Sequence, residues 1–278
     1  MKMKLRPRYF KKNISLIVGI LMFIGIVLAS VFAPYFTPYD PLEVKIPRRL
    51  KTMSADHPFG TDFWGRDIQS RILFGGRCSL TIGIISIGVS MMLGLIFGVV
   101  AGYYSESKLA NVIVWITDIT MSFPTLILGA MVAMMFGPGI FNTIIAIAVA
   151  FWPRFVRLAR ASTLSVREEV FILAAKSLGM SDWRIFCVHL IPNIISPVIV
   201  MAIIWASDAI TIEVALSFLG LGVPPPTASW GTVLQDNLRY FQMSPMAVIW
   251  PCVAIAWAVQ SLNLIGDRFR DILDPKMR

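Results

Sequence analysis

Three carboxylates stand inside long uncharged runs of this 278-residue chain: Asp118, Asp208 and Glu213. A charge at mid-bilayer depth costs about 2.5–3.5 kcal/mol on insertion scales, so such groups face a bundle interior or water. The chemistry open to them is proton relay, ion pairing or a buried hydrogen bond. Asp118 lies near the entry end of its run and also reads as interfacial. Asp208 and Glu213 are five residues apart, about 140° around a helix, so they need not share a face. One would line a pathway while the other pairs with a neighbouring helix, and a structural hydrogen bond serves for either. Hydrolytic and metal chemistry lack their residues. His57 and His189 are the two histidines, with no paired ligand spacing around them. Cys78, Cys187 and Cys252 are odd in number and scattered, which spells neither a disulfide framework nor a zinc site; they read as packing residues. No Ser/His/Asp or Cys/His set is legible. The pattern G-x-x-x-x-G-K-[ST] is absent, so the chain cannot itself cradle ATP phosphates. Neither catalysis nor a bound cofactor or metal is expected.

What must position these groups is a membrane. The chain is 56% hydrophobic and 15% charged, with mean hydropathy +0.73, against roughly 25% charged in ordinary domains. Its net charge of +9 sits between apolar runs, not on a groove-sized patch, so nucleic acid is not an expected partner. Residues 1–13 carry Lys2, Lys4, Arg6, Arg8, Lys11 and Lys12 without an acid. Residues 14–33 follow without a charge, longer than the roughly 7–15 residues of a signal-peptide core and long enough to span. Residues 34–79 form an outer loop with Pro34, Pro38, Pro41, Pro47 and Pro58. Within it Trp64, Ile68 and Ile72 repeat every four residues, which predicts a short helix, either interfacial or simply a capped surface helix. Five further spans are expected within residues 80–265, at about 80–102, 111–136, 140–161, 194–221 and 245–265, before a charged tail at 266–278. Ser86, Ser90, Gly94, Gly98 and Gly102 form an i, i+4 ladder of small residues, which permits close helix approach or makes a smooth pore wall. Gly137-Pro138-Gly139 predicts a tight turn. Arg154, Arg157 and Arg160 should snorkel to the cytoplasmic face.

The expected fold is therefore an all-α polytopic membrane protein of six transmembrane helices with both termini inside. That orientation puts most of the 25 Lys and Arg in the cytoplasm. The loop after the first span is the exception, and long loops obey the positive-inside rule weakly.

Residues 167–192 are the longest polar-containing segment between two spans, and they read as two short helices. Val170, Phe171, Ala174, Ala175 and Leu178 recur at helical spacing. Gly179 stands where a helix end wants positive φ. Ser181 and Asp182 offer a cap and a negative charge to a second helix, and Pro192 interrupts backbone bonding near its end. The apolar ridge needs a cover, either the bilayer surface or the groove of a soluble partner.

Ala174-Ala175, Gly179 and Ile191-Pro192 resemble the EAA motif of ABC importer permeases. Three further stretches extend the likeness: Phe59-Gly60-Thr61-Asp62-Phe63-Trp64-Gly65-Arg66-Asp67; Ser217-Phe218-Leu219-Gly220-Leu221-Gly222-Val223 with Trp230-Gly231; and Gly266-Asp267 through Leu273-Asp274-Pro275. Together, in this order, they resemble the dipeptide/oligopeptide (and nickel) transport family, specifically its C-type permease subunit. The resemblance implies a non-catalytic, multi-pass subunit of a bacterial plasma membrane, forming half of a translocation pathway. It implies a heterodimer with a second permease, two ABC ATPase subunits and an extracytoplasmic substrate-binding protein, all in a lipid setting. It places ATPase coupling at Glu169, Leu173, Ala174, Ala175, Leu178, Gly179 and Asp182, on a cytoplasmic coupling helix between spans four and five. The motif's first position, normally Glu, is Leu173 here, and Glu169 one turn earlier is the candidate substitute. Asp208 and Glu213 are the candidates for the pathway, Trp64 and Trp230 for contact with the binding protein. In the resemblance Glu213 belongs to the stretch leading into Ser217, which favours architecture over proton relay. Di- and oligopeptides are the expected cargo. The alternatives are a nickel or metal-chelate importer within the family, a proton-coupled carrier using Asp208 or Glu213, and a membrane assembly protein.

Overall fold

A computed structural model describes the backbone of residues 7–273 and the side chains of residues 14–272. The basic stretch at residues 1–6 and the Asp274-Pro275 end of the last motif lie outside the described residues. The regular elements among the described residues are helical. In chain order they are α1 (Pro7–Val31), α2 (Ala33–Phe36), a 3-10 turn (Ile46–Arg48), α3 (Ile68–Tyr103), α4 (Lys108–Met121), α5 (Thr125–Phe136) and α6 (Ile140–Val166). There follow α7 (Val170–Ser177), α8 (Asp182–Arg184), a π turn (Ile185–Leu190), α9 (Ile191–Phe218), α10 (Trp230–Leu238) and α11 (Met246–Leu273). Five stretches are long and apolar enough to cross a membrane, and six if α4 and α5 count as one broken crossing.

Three elements differ from expectation, each for a local reason. The third span is not straight: α4 and α5 meet at 97°. Pro124 has no N–H to give and its ring pushes Phe123 out of the α region, so the helix stops there and restarts at Thr125. The helix expected around Trp64 to Ile72 is not separate, because α3 begins at Ile68 and runs unbroken to Tyr103. Asp67 starts it, its carboxylate accepting from the Ser70 N–H at 2.7 Å. Residues 182–218 form one continuous helical run, where a short second helix and a separate span from about residue 194 were expected. Pro192 follows just after the π turn of Ile185–Leu190, where the backbone pairing is already shifted and the missing N–H is accommodated without a break.

The small-residue ladder packs helix on helix and does not line a pore. A Cβ added at Gly94 would stand 2.1 Å from Phe155 Cβ, at Gly98 2.6 Å from Ala159 Cβ, and at Gly102 2.6 Å from Thr163 Cβ. The two i, i+4 rows run in the same direction, so α3 and α6 lie parallel with backbones in contact. Ser90 continues the seam, its hydroxyl donating to the Ala148 carbonyl of α6 at 3.1 Å. The core centred on this pair gathers Ile82, Ile147, Phe151, Phe155 and Ile210, all fully buried.

The loop between α2 and α3 folds back over α10 and α11. Phe59 stacks on Trp250 and Phe63 on Tyr240, each pair at 4.1 Å. Beneath them Asp62 accepts from Arg66 at 2.6 Å and Arg71 at 2.8 Å, and Asp236 of α10 accepts from the same two arginines at 2.8 and 2.9 Å. Arg71 and Asp62 are almost wholly buried, so deleting one partner of that pair would cost about 3–5 kcal/mol.

Candidate functional site

The α7 segment is a mounted ridge. Its inner face carries Ile172 and Ala175, which are buried with Ile185, Leu190 and Ile194 against Val99 and Tyr103 at the end of α3. Its outer face carries Val170, Leu173, Ala174 and Leu178, all exposed. Val170 and Leu178 are 79% and 84% exposed, and Trp183 just beyond is 76% exposed. Ala175 therefore serves as an anchor within the chain, not as part of the free ridge. Gly179 ends the helix at φ +72°. The Met180 N–H donates to the Ala175 carbonyl at 3.1 Å and the Gly179 N–H to the Lys176 carbonyl at 2.9 Å, the paired bonds of a Schellman stop. Glu169 occupies the N-cap position without a side-chain cap bond; it is exposed and one turn from Leu173.

Polar tethers hold this mount to α3. Asp182 accepts from the Tyr103 hydroxyl at 2.8 Å and from the Tyr104 hydroxyl. That second bond pushes the Tyr104 phenol above its ordinary value, so it stays a neutral donor. Lys176 Nζ lies 4.3 Å from the Tyr103 ring centre, a cation–π contact. Arg167 donates to the Gly102 and Tyr103 carbonyls at 3.1 and 3.3 Å and to Ser105 Oγ at 2.6 Å. Sequence spacing found the ridge and the stop but missed Tyr103, Tyr104, Arg167 and Lys176. The signal was there in hydrogen-bonding side chains clustered at the end of the small-residue ladder.

The carboxylates inside the spans separate cleanly. Glu213 has no exposed surface and accepts from the Ser217 hydroxyl at 2.8 Å, while Ser217 Oγ accepts from the Val223 N–H at 3.2 Å. It braces the turn after α9 and shows no surface in the single chain, where the sequence offered it as a pathway candidate. Asp208 is 54% exposed and faces Arg154 at 3.4 Å. Asp118 is 56% exposed and pairs with Arg157 at 2.8 Å. Arg154 and Arg157 thus find acids on neighbouring helices where snorkelling alone was expected.

Of the two tryptophans, Trp64 is 47% exposed, whereas Trp230 has no exposed surface. The Trp230 indole donates to the Ile72 carbonyl at 3.0 Å and its backbone N–H to Ser79 Oγ at 3.1 Å. The ring is fully enclosed in the single chain and supports α3 from inside, where the sequence offered it for contact with a binding protein. Cys187 and Cys252 are exposed in the single chain, and only Cys78 is partly packed.

A bundle of apolar helices with an exposed amphipathic turn at one end and ion-paired charges at span depth belongs to the class of multi-pass transport permeases. The sequence profile of the binding-protein-dependent transport system inner membrane component matches residues 94–278, and that of the N-terminal TM domain of oligopeptide transport permease C matches residues 5–52. The chain belongs to this family of ABC importer permeases, the inner-membrane components of binding-protein-dependent transport. It is 40% identical to the dipeptide transport system permease protein DppC of Alkalihalophilus pseudofirmus, over 98% of this chain and 89% of that one. It is 37% identical to the di/tripeptide transport system permease protein DppC of Pseudomonas aeruginosa (97% and 90% covered). With the oligopeptide transport system permease protein OppC of Bacillus subtilis the identity is 33% (97% and 88%). Among solved structures, an inward-facing MetNI methionine ABC transporter chain superposes with TM-score 0.60 at 17% identity, covering 73% of this chain and 97% of the other. At that identity the likeness speaks for the fold alone.

Proposed function

We propose that the chain is half of the translocation pathway of an importer for di- or oligopeptides, moved by ATP hydrolysis on two separate ATPase subunits. The observation that carries this reading is the α7 ridge: large apolar side chains left bare on a turn whose other face is anchored to α3. An apolar helical ridge of this kind docks into a groove on a soluble protein. In this orientation both termini and α7 face the cytoplasm, residues 14–33 add a first span to a permease core at 80–265, and α4–α5 count as one broken crossing. A second permease completes the pathway. Nucleotide-driven closure of the ATPases pulls on α7, the tethers to Tyr103 and Gly102 pass the motion to α3, and the α3–α6 unit rocks as one body. The binding protein releases its ligand against the opposite end, where Trp64 stands exposed on the folded-back loop. Peptide cargo rests on the names of the relatives.

The exposed pair Asp208–Arg154 favours a polar pathway wall over a proton relay, since the carboxylate faces a fixed guanidinium and, among the described residues, no second acid. The reading is tested by reconstituting the chain with its second permease, ATPases and binding protein in proteoliposomes. Peptide-stimulated ATP turnover and peptide accumulation are expected together. Accumulation that persists with hydrolysis-dead ATPases would instead identify a secondary carrier.

A further inference from the structure

Two ion pairs stand one turn apart on the same exposed face of α6. Arg157 donates to one oxygen of Asp118 on α4, and Arg154 donates to one oxygen of Asp208 on α9 and to Thr125 Oγ1 at the head of α5, the last at 2.7 Å. By helix rise Arg154 lies about 21 Å from the start of α6, and Arg157 about 14 Å from its end. Asp208, which Arg154 meets, lies about 15 Å from the end of α9, so this pair stands near mid-span, with the Arg157 pair one turn nearer the end of α6. Side-chain exposures are 60% and 56% for Arg157 and Asp118, and 30% and 54% for Arg154 and Asp208. Lipid contact at that depth would be costly for each of four charges, so this face meets water or protein. The pairs are also unsaturated: the second carboxylate oxygen of Asp118 and of Asp208 accepts nothing among the described residues. Along α4 and α5, Met121, Met131, Met134 and Met135 are exposed, flexible and polarizable side chains that accept varied apolar shapes.

We propose that these two pairs form a subsite that reads the charged termini of a short peptide in transit. This rests on the pathway reading above. The peptide carboxylate takes guanidinium donors from Arg154 or Arg157, and its ammonium takes the open carboxylate oxygen of the other pair. The pairs are offset by about 4.5 Å along α6, and an extended dipeptide spans up to about 7 Å, so both termini are served at once. Each peptide charge adds to a pair through a donor or oxygen that the pair leaves open, and the zwitterion brings no net charge to two neutral pairs. The methionine surface holds the side chains without selecting among them.

The test uses the assembled complex without binding protein and a photoreactive dipeptide carrying benzoylphenylalanine, offered as the free zwitterion or with its amine acetylated and its carboxyl amidated. In the wild-type complex the zwitterion is expected to label α4–α6 about tenfold or more above the blocked probe, the effect of losing a charge-assisted hydrogen bond. Asp118→Asn with Arg157→Gln should reduce zwitterion labelling to the blocked level, while Asp118→Glu or Arg157→Lys should keep most of the difference. Equal labelling by the two probes in a wild-type complex that still imports peptide with ATP would overturn the subsite and leave the importer reading standing. A wild-type complex without ATP-dependent import would remove the importer reading itself. Should the double variant fail to assemble, the wild-type probe ratio decides alone.

Discussion

Truncating Leu178 to Ala separates a docking ridge from a structural helix. The side chain is 84% exposed, so removing it takes almost nothing from the packing of the single chain. If an ATPase groove encloses it, the variant loses about 2 kcal/mol of burial at roughly 0.8 kcal/mol per methylene-sized group. That corresponds to about a thirtyfold weaker association of the ATPase subunits. Ile172→Ala is the contrasting change one face round. Ile172 is fully enclosed against Ile185 and Leu190, and its truncation should cost about 2–5 kcal/mol of stability. The assay is titration of purified ATPase subunits onto the permease pair in nanodiscs, with a thermal melt of the permease alone. Leu178→Ala should shift the titration and leave the melt unmoved; Ile172→Ala should move the melt. A Leu178→Ala complex that associates within threefold of wild type, or melts early, would refute the assignment of the outer face to a partner.

Two further outcomes follow from the same geometry. At Gly179 an added Cβ meets no atom within 4 Å, but Gly179→Val must hold φ +72°, so strain of about 1–2 kcal/mol should fall on the Schellman stop and depress coupled ATP turnover more than membrane insertion; normal turnover would show that the stop does not matter. Glu169→Lys reverses the exposed charge one turn from Leu173, and should uncouple peptide uptake from hydrolysis; uptake per ATP at the wild-type ratio would return the missing motif carboxylate to another residue.

Periodicity and charge made much of this molecule legible in advance. The apolar runs at 14–33 and 140–161, the ladder from Ser86 to Gly102 and the Gly179 stop depend on local pattern, and each has its counterpart in a helix or turn of the structure. What failed to show depends on contacts between distant segments. Nothing local marks Trp230 as enclosed by α3, or Glu213 as turned toward Ser217, because an aromatic or acidic residue reads the same on either side of a helix. The break at Pro124 was visible in principle, since a proline in mid-run weakens the helix, yet hydropathy alone bridges it. The pairing of Arg154 and Arg157 with Asp208 and Asp118 needed three helices brought together before either acid acquired a partner.

The most direct measurement of the central claim is the side of the membrane from which α7 can be reached. Ser177→Cys, in a chain whose Cys78, Cys187 and Cys252 are replaced by serine, is probed with a membrane-impermeant maleimide. The account predicts no labelling in intact cells, labelling once the cytoplasmic face is opened, and protection when the ATPase subunits are bound. Labelling of intact cells from the outside would contradict it.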